Sequence, residues 1–154
     1  MEITIEKMSP QDRDEIESIF RKGVQSGDLV LDTDDPATRD IAAGRNLVAR
    51  AKGQVIGWAM LDVTGSKLPS GLATVSVFVS PDYRKIGVGR ALLNAAVDVA
   101  ASNGISKVIT SIVPKNVPAL LLHKSCGFKA VGMLQKAGVA KGQWQDAVLL
   151  RRNC

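Results

Sequence analysis

The sequence predicts a mixed α/β domain centred on a unit of strand, glycine-rich turn, helix and strand. Apolar residues recur at every second position in some stretches and at three- to four-residue spacing in others, as in strands and helices respectively. The two kinds of stretch alternate along the chain, which is typical of a sheet covered by helices. The turn itself, Gly87–Gly89, follows a β-branched stretch and precedes an apolar helical one. A helix N-terminus is therefore expected beside the end of a strand.

The N-terminal part predicts a strand, a helix and a loop. Isoleucines alternate with polar residues at 3–5, and Ser9 then offers an N-cap before a helix that starts with proline. Apolar residues at helical spacing continue this helix to Val24. The Asp-rich stretch 27–37 predicts a loop that leads into a short helix ending near Gly44.

The middle of the chain predicts three strands. Two of them, 47–51 and 55–63, are joined by the short turn 52–54, which carries a glycine. A polar loop at 64–71 separates them from a third strand at 72–79. Side chains of the third strand alternate between two faces. One face carries Val75, Val77 and Val79, and the other carries Thr74, Ser76 and Phe78.

The remaining chain predicts a helix, a strand, a second helix and two further strands. Their expected ranges are 89–103, 107–113, 116–126, 128–134 and 147–151. The first of these helices carries an apolar stripe and has a stop signal at Gly104. Because the chain shows no repeat or low-complexity linker, residues 1–154 are expected to form a single domain.

The composition argues against several classes of protein. The chain has 20 Lys and Arg against 15 Asp and Glu, a net charge of +5, but the charges are scattered and aromatic residues make up only 4%. Without a basic stripe, nucleic-acid binding is not expected. No apolar run approaches the roughly 20 residues that span a bilayer, and the N-terminus lacks a secretory signal, so we expect a cytoplasmic protein without membrane contact. Cys126 and Cys154 lack metal-site spacing, so two thiols and no metal are expected.

The turn before the helix at 89–103 has the chemistry of an anion-binding site. Backbone N–H groups at a helix start have no intrahelical partner and carry the positive end of the helix dipole. Gly87 and Gly89 lack the β-carbons that would keep a phosphate away from the backbone. Positive charge is added by Arg84, Lys85 and Arg90. These residues predict a site for a pyrophosphate.

Other interpretations of the turn were weighed. A P-loop needs G-x-x-x-x-G-K followed by Ser or Thr, which is absent. A dinucleotide fingerprint needs G-x-G-x-x-G, and the chain supplies only its first two glycines. The glycines would also be explained if they simply let the helix pack close to a strand. The residues alone leave the last two alternatives open.

Two ordered motifs resemble those of the GNAT superfamily of N-acetyltransferases. The segment 79–92 is similar to its acetyl-CoA motif, whose core R/Q-x-x-G-x-G/A follows the fourth strand. Its second motif, N-x-x-A-x-x-L-Y/H-x-x-x-G-F, is matched by Asn116, Ala119, Leu122, His123, Gly127 and Phe128. Further stretches resemble the phosphinothricin and methionine sulfoximine acetyltransferase-like subfamily, at 31–36, 132–134, 137–138 and 142–146.

This resemblance implies a fold and an activity. The implied fold is a mixed, mostly antiparallel sheet of six to seven strands with a central splay, flanked by about four helices. The implied activity is direct transfer of an acetyl group from acetyl-CoA, the co-substrate, to the primary amine of a small molecule such as phosphinothricin or methionine sulfoximine. A homodimer is also implied. The alternatives are a protein or peptide N-acetyltransferase and a catalytically weak acetyl-CoA-binding module.

The resemblance also implies roles for individual residues. The pantetheine arm would be bound by the backbone of Val77, Phe78 and Val79, with an amide near Phe78 or Val79 polarising the thioester carbonyl. The pyrophosphate would be bound by Arg84, Lys85, Ile86, Gly87, Val88, Gly89 and Arg90. Asn116 would contact the cofactor further along. His123 would protonate the departing thiolate, and the alternative is that it packs against the sheet or orders the cofactor.

The acceptor side is less completely specified. Asp32, Thr74 and Trp144 are the residues that the resemblance places there. Thr74 occupies a position where these enzymes commonly carry a glutamate base, and a hydroxyl is no base at neutral pH. The base would then be a water chain or another carboxylate, unless the substrate arrives deprotonated. Cys126 is expected to be a packing residue.

Overall fold

The structure is a computed structural model that describes residues 2–27, 30–31, 34–38, 45–62 and 71–154. Within these ranges lie seven strands and three α-helices. They are β1 (Thr4–Lys7), α1 (Arg13–Gln25), β2 (Leu47–Ala51), β3 (Gln54–Asp62), β4 (Leu72–Val79), α2 (Val88–Ser102), β5 (Lys107–Ile112), α3 (Val117–Ser125), β6 (Lys129–Ala140) and β7 (Gln143–Asn153). The short helix expected before Gly44 and most of the loop at 64–71 lie outside the described residues. None of the described helices is long and apolar enough to cross a membrane.

The strands form one sheet in the order β1-β2-β3-β4-β5-β7-β6. Every neighbouring pair is antiparallel except β4 and β5, which run parallel. This confirms the predicted mixed, mostly antiparallel sheet. The parallel pair needs a crossover, and α2 supplies it between β4 and β5.

The sheet opens between β4 and β5. These strands pair only where they begin, and their last pair is Thr74 with Ile109. Beyond that pair, β4 stays bonded to β3 as far as Val79, and β5 stays bonded to β7 as far as Ile112. The two strand ends therefore diverge, which confirms the expected central splay and leaves a gap in the middle of the sheet.

The two faces of the sheet are covered by different helices. Val75 of β4, which is 2% exposed, packs in one apolar cluster with the buried face of α2. Phe78, on the other face of β4, packs against a second cluster in which Ile16 of α1 meets Trp58 of β3. The predicted alternation of β4 is thereby confirmed. It places α1 and α2 on opposite faces, with the gap between β4 and β5 beside them.

The last two strands are longer than predicted. They form a hairpin that turns at Lys141 and Gly142, both of which have positive φ. The pairing is interrupted between Leu134 and Gly138, where the register shifts. Lys136 within this bulge has φ 48° and donates its N–H to the Asp146 carboxylate at 2.9 Å. The bulge interrupts the alternation of side chains, so the sequence pattern ends before the strand does.

Candidate active site

The glycine-rich turn ends β4 and starts α2. The helix begins at Val88, and its first backbone hydrogen bond in the turn runs from Ala91 N–H to the Gly87 carbonyl. The N–H groups at 88–90 therefore precede the helical ladder and are oriented for an anion. Val88 itself is buried, whereas Ile86 is 51% exposed at the tip of the turn. The structure thus forms the helix N-terminus that the sequence predicted.

Glycine is needed at positions 87 and 89 of the turn for different structural reasons. Gly87 has φ 94°, a left-handed conformation, and a β-carbon there would meet open space. A β-carbon on Gly89 would lie 2.9 Å from Cδ2 of Leu122 and 3.5 Å from Cγ2 of Val79. The close-packing explanation therefore applies to Gly89, and only Gly87 leaves its open side toward solvent.

Three cationic side chains surround the turn. The side chain of Arg84 donates from both Nε and Nη2 to the Val79 carbonyl at 3.2 Å each, so it ties the turn back to the end of β4. Lys85, which has φ 65°, and Arg90 are exposed. Their charge adds to the positive potential at the start of α2.

The backbone of β4 has one side bonded to β3 and one side toward the gap. Ser80 donates its N–H to the Ile56 carbonyl at 2.8 Å, which sets the alternation along the strand. In an antiparallel pair, every second residue then bonds the neighbouring strand. Phe78 accordingly directs its backbone toward Trp58 of β3. The backbones of Val77 and Val79 face the gap, so the register supports these two as contacts for a bound chain and does not support Phe78.

A cavity occupies the gap between β4 and β5. Its walls come from β4, from β5 and the residue after it, from α3 with its N-cap residue, and from the described part of the loop after α1. The polar side chains among its wall residues are Asp34, Ser76, Thr110, Ser111, Asn116 and His123. The cavity therefore places residues of the second motif opposite Val77 and Phe78 of β4, next to the end of the strand from which the first motif starts.

Asn116 has two structural roles. It is the N-cap of α3, and its side-chain oxygen accepts a hydrogen bond from Ala119 N–H at 3.4 Å. It is also a wall of the cavity. The capping interaction holds the side chain at the edge of the cavity, and contact with a cofactor stays a prediction of the second motif.

His123 lies on α3 and is only 4% exposed. Its Nδ1 lies 2.7 Å from the Ala119 carbonyl oxygen. Because a carbonyl can only accept, Nδ1 carries the proton of this bond. The other ring nitrogen, Nε2, is buried and has no hydrogen-bond partner among the described residues. The ring packs edge-on against Phe128, with 5.2 Å between the ring centres.

The environment of His123 sets its charge. Burial lowers the pKa of this imidazole below its ordinary value of 6.5, and the hydrogen bond to Ala119 only partly opposes the effect. At neutral pH the ring is therefore uncharged, with its proton on Nδ1 and a lone pair on Nε2. The predicted protonation of a thiolate needs a proton on Nε2, so the group has to accept one first.

Asp34 is a wall residue that the sequence did not single out. Its Oδ1 accepts a hydrogen bond from the Ser76 hydroxyl at 3.4 Å, and its Oδ2 accepts one from Leu31 N–H at 3.3 Å. The sequence indicated an acidic loop here but placed the acceptor-side carboxylate at Asp32, which lies outside the described residues. The local sequence pattern could not distinguish Asp34 from Asp32, because the contact of Asp34 with Ser76 joins parts of the chain that are 42 positions apart.

Two other predicted acceptor-side residues lie outside the walls of this cavity. Thr74 sits in the last pair between β4 and β5, before the strands diverge. Trp144 is 64% exposed near the tip of the β6–β7 hairpin. In the described part of the chain, no group of three or more His, Cys, Asp or Glu is placed to hold a metal. Cys126 is buried in the main apolar cluster, as expected of a packing residue.

The chain is similar to known proteins in family, in sequence and in fold. The model of a family described as the acetyltransferase (GNAT) family matches residues 13–128. That range contains α1, the glycine-rich turn, the gap and α3 with His123. The match therefore covers every described wall residue of the cavity and leaves out the last hairpin.

Individual relatives are distant. The L-methionine sulfoximine/L-methionine sulfone acetyltransferase of Pseudomonas aeruginosa is 30% identical over 107 residues, 67% of this chain and 60% of that protein. The N-alpha-acetyltransferase RimI of Mycobacterium tuberculosis is 31% identical over 117 residues, 75% of this chain and 71% of that protein. The chain spans about half the length of the L-amino acid N-acyltransferase MnaT of Escherichia coli and of the methionine sulfoximine acetyltransferases, from 44% to 60%.

A solved structure matches over nearly the whole chain. It is a GNAT superfamily phosphinothricin acetyltransferase from Sinorhizobium meliloti in complex with acetyl-CoA, and its sequence identity is 25%. The match covers 99% of this chain and 89% of that chain with a TM-score of 0.77.

Proposed function

The chain belongs to the acetyltransferase (GNAT) family, and from this premise we propose that its single domain transfers an acetyl group from acetyl-CoA to the primary amine of a small molecule. One observation carries the proposal: β4 joins two sites. Its residues 76–78 form a wall of the cavity. Its last residue, Val79, accepts a hydrogen bond from Arg84 of the proposed anion-binding turn, which follows the strand. A phosphate-bearing donor held by the turn would extend along β4 toward the cavity.

The donor would be held by main chain more than by side chains. The free N–H groups at 88–90 fit a pyrophosphate, and Lys85 and Arg90 add charge. The gap-facing backbones of Val77 and Val79 fit an amide-containing arm, because that edge of β4 has no neighbouring strand in the described structure. Asn116 lies on the opposite side of the gap.

The reaction needs one bond formed, one broken and a proton moved. Acetyl-CoA supplies an activated acetyl group as a thioester. The amine nitrogen attacks the thioester carbon directly, the carbon–sulfur bond breaks, and the leaving thiolate takes up a proton. The neutral imidazole of His123 accepts a proton from the amine at Nε2 and returns it to the thiolate. The gap-facing N–H of Val79 is suited to stabilise the developing oxyanion.

The acceptor is proposed to be an amino-acid analogue or a related small amine. The supporting observation is that relatives at about one-third identity are named for methionine sulfoximine and L-amino acids. The cavity is bounded on one side by Val30 and Leu31 from the loop after α1. Such a wall suits a compact acceptor better than an extended chain.

Thermal unfolding with and without acetyl-CoA tests the donor, with NAD as the control. A ligand at about a hundred times its Kd adds about 2.7 kcal/mol of stability, which raises the Tm by several degrees for a chain of this length. A thiol-release screen of amines then tests the transfer. A shift with NAD alone, or none with acetyl-CoA, contradicts the proposal. A shift without thiol release would indicate the catalytically weak binding module.

A protein or peptide N-terminus is the second candidate acceptor. It is favoured by the relative RimI of Mycobacterium tuberculosis, of which the aligned region covers 71%. The two candidates separate in one assay that compares free amino acids with peptides at equal amine concentration. A kcat/KM at least tenfold higher for peptides would replace the small-molecule proposal.

We further propose that the protein is a homodimer that pairs through β6. This strand is the last in the sheet order and has an exposed edge. Large apolar side chains are exposed on the hairpin, namely Val131, Met133, Leu134 and Trp144. Such strips are typical of surfaces that are covered in solution. Light scattering should give twice the chain mass for the wild type and Gln143→Glu, and the single mass for Met133→Glu.

A further inference from the structure

The cavity contains one acidic side chain whose role the proposed function leaves open. Asp34 is the only carboxylate among the described wall residues. We propose that Asp34 binds the ammonium group of the acceptor, which makes a cationic primary amine the substrate class of this site. The inference rests on the proposed function, and names the residue that recognises the acceptor.

The carboxylate of Asp34 is positioned by its own loop. Asp34 donates its N–H to the Leu31 carbonyl at 2.9 Å, while Leu31 donates its N–H to Oδ2 of Asp34 at 3.3 Å. These reciprocal bonds fold the side chain back over the turn. The other oxygen, Oδ1, reaches Ser76 on β4. The Asp34 carboxylate therefore connects its own loop to β4, the strand along which the acetyl donor would lie.

The loop is itself anchored on the far side of the gap. Leu31 is 6% exposed and packs in a small apolar cluster with Val113 and Ala140. Its side chain also fills the space beside Gly138, where a β-carbon would lie 3.1 Å from Leu31 Cδ1. Packing against β6 and against Val113, the residue after β5, thus holds the position of Asp34, three residues further along.

The charge of the walls favours a cation. No Lys or Arg is among the wall residues that the structure describes, and His123 is neutral at neutral pH. Asp34 is therefore the only charged wall residue in the described structure. In a partly dehydrated cleft, such a charge attracts an ammonium group more strongly than it would in water.

The donors and acceptors also correspond. An ammonium group has three N–H donors, and the described walls offer acceptors at Asp34, at the Ser76 hydroxyl and at the unpartnered Nε2 of His123. A carboxylate is far too weak a base to deprotonate an alkylammonium, since their ordinary pKa values differ by about six units. Asp34 therefore binds and orients the ammonium group. The ammonium loses one proton to water before attack, because the neutral imidazole of His123 is also too weak a base to remove it. The second proton, which the nitrogen releases as it is acylated, passes through His123 to the thiolate.

The test compares Asp34→Asn with Asp35→Asn. Asparagine is nearly isosteric and keeps an oxygen that can accept from Leu31 or Ser76. Asp35 is the adjacent carboxylate, accepts from Ala37 N–H at 2.9 Å, and is not a described wall of the cavity. With an aliphatic amine, Asp34→Asn should raise the KM for the amine about tenfold or more and leave the KM for acetyl-CoA unchanged, as expected for a lost charged hydrogen bond. Asp35→Asn should behave as wild type.

A second acceptor separates charge recognition from general damage to the loop. An acyl hydrazide is uncharged at neutral pH, so Asp34→Asn should change its kcat/KM less than twofold. Equal losses for both acceptors, or no loss for the aliphatic amine, would refute the assignment.

Binding of butylammonium provides a readout that does not need turnover. Calorimetry in the presence of coenzyme A should show binding to wild type and Asp35→Asn, at least tenfold weaker binding to Asp34→Asn, and none of butanol. If acetyl-CoA binds and butylammonium binds through Asp34 without any thiol release, the proposed function fails while the cation site stands. If wild type and Asp34→Asn bind butylammonium equally, or wild type does not bind it, the site is refuted.

Discussion

Gly89 of α2 lies directly against Leu122 of α3, so closely that a β-carbon on the glycine would be 2.9 Å from Cδ2 of the leucine. Val79 at the end of β4 is the other neighbour, at 3.5 Å from the same position. Glycine therefore allows β4, α2 and α3 to meet where the glycine-rich turn passes into α2. This contact couples the turn to α3, which also carries His123.

Gly89→Val should reduce the stability of the fold. Its branched side chain would overlap Leu122 and Val79, and overpacking of this kind costs about 1–3 kcal/mol. Denaturant unfolding measures the change. Leu122→Ala in the same chain should recover part of the loss, because it removes the atoms that clash. Gly89→Ala is the milder control, since a single methyl displaces only the end of a flexible side chain. An unaltered unfolding midpoint in Gly89→Val would contradict the packing account.

The contact shows what sequence pattern could and could not provide at this turn. The alternation in β4 and the apolar stripe of α2 predicted both elements to within a residue or so, because these patterns are local. The sequence could not show that Gly87 is required by its backbone conformation and Gly89 by close packing. The distinction depends on which way each α-carbon faces, and on Leu122 more than thirty residues away along the chain.

The same distinction between local pattern and tertiary contact applies to the other residues around the cavity. His123 and Asn116 were singled out through the second motif, whose spacing along α3 and its N-cap is local, and both line the cavity while their roles stay predictions. Phe78 was grouped with its neighbours because only the pairing with β3 shows that its backbone points away from the gap. Asp34 was not distinguished from the other acidic residues of its loop because its bond to Ser76 spans 42 positions. Contacts of that range depend on tertiary packing.

Gly87→Ala should cost about 1 kcal/mol of stability for a different reason. A β-carbon at Gly87 meets no atom within 4 Å, so the cost comes only from the left-handed backbone, at φ 94°. Asparagine tolerates this region better than alanine, and Gly87→Asn should lose less. Chemical denaturation of the wild type, Gly87→Asn and Gly87→Ala measures their free energies of unfolding, which should decrease in that order. Equal stability of the alanine and glycine forms would mean that the turn changes conformation without cost.

Arg84→Lys should weaken acetyl-CoA binding without removing charge. The guanidinium donates twice to the Val79 carbonyl, and a lysine ammonium cannot reproduce this planar two-pronged contact. We expect a Kd raised about three- to tenfold, from a loss of about 1 kcal/mol. Lys85→Arg, which changes an exposed cation of the same turn, is the matched control. Titration calorimetry measures both, and a wild-type Kd for Arg84→Lys would show that the tether to β4 does not order the turn.

His123→Asn should change both the rate and its dependence on pH. Asparagine can still donate to the Ala119 carbonyl, but it has no counterpart of Nε2 and does not titrate. Loss of a positioned proton acceptor costs about a hundredfold in kcat. In the wild type, the acid limb of kcat/KM for the amine should lie below pH 6.5, because burial lowers the pKa of this imidazole and the neutral ring is the active form.

The stability of the fold provides an independent measure of the same group. His123 is the only histidine in the chain. Below pH 6.5 the unfolded chain binds a proton at this residue that the folded protein still excludes, so folding stability falls as the pH drops from 6.5 toward the lowered pKa. Above pH 6.5 both states are neutral, and this contribution to stability is constant. The difference in Tm between wild type and His123→Asn should therefore narrow on acidification from pH 7. A difference that widened would mean that the buried imidazole is charged, and that it acts as an acid from the start.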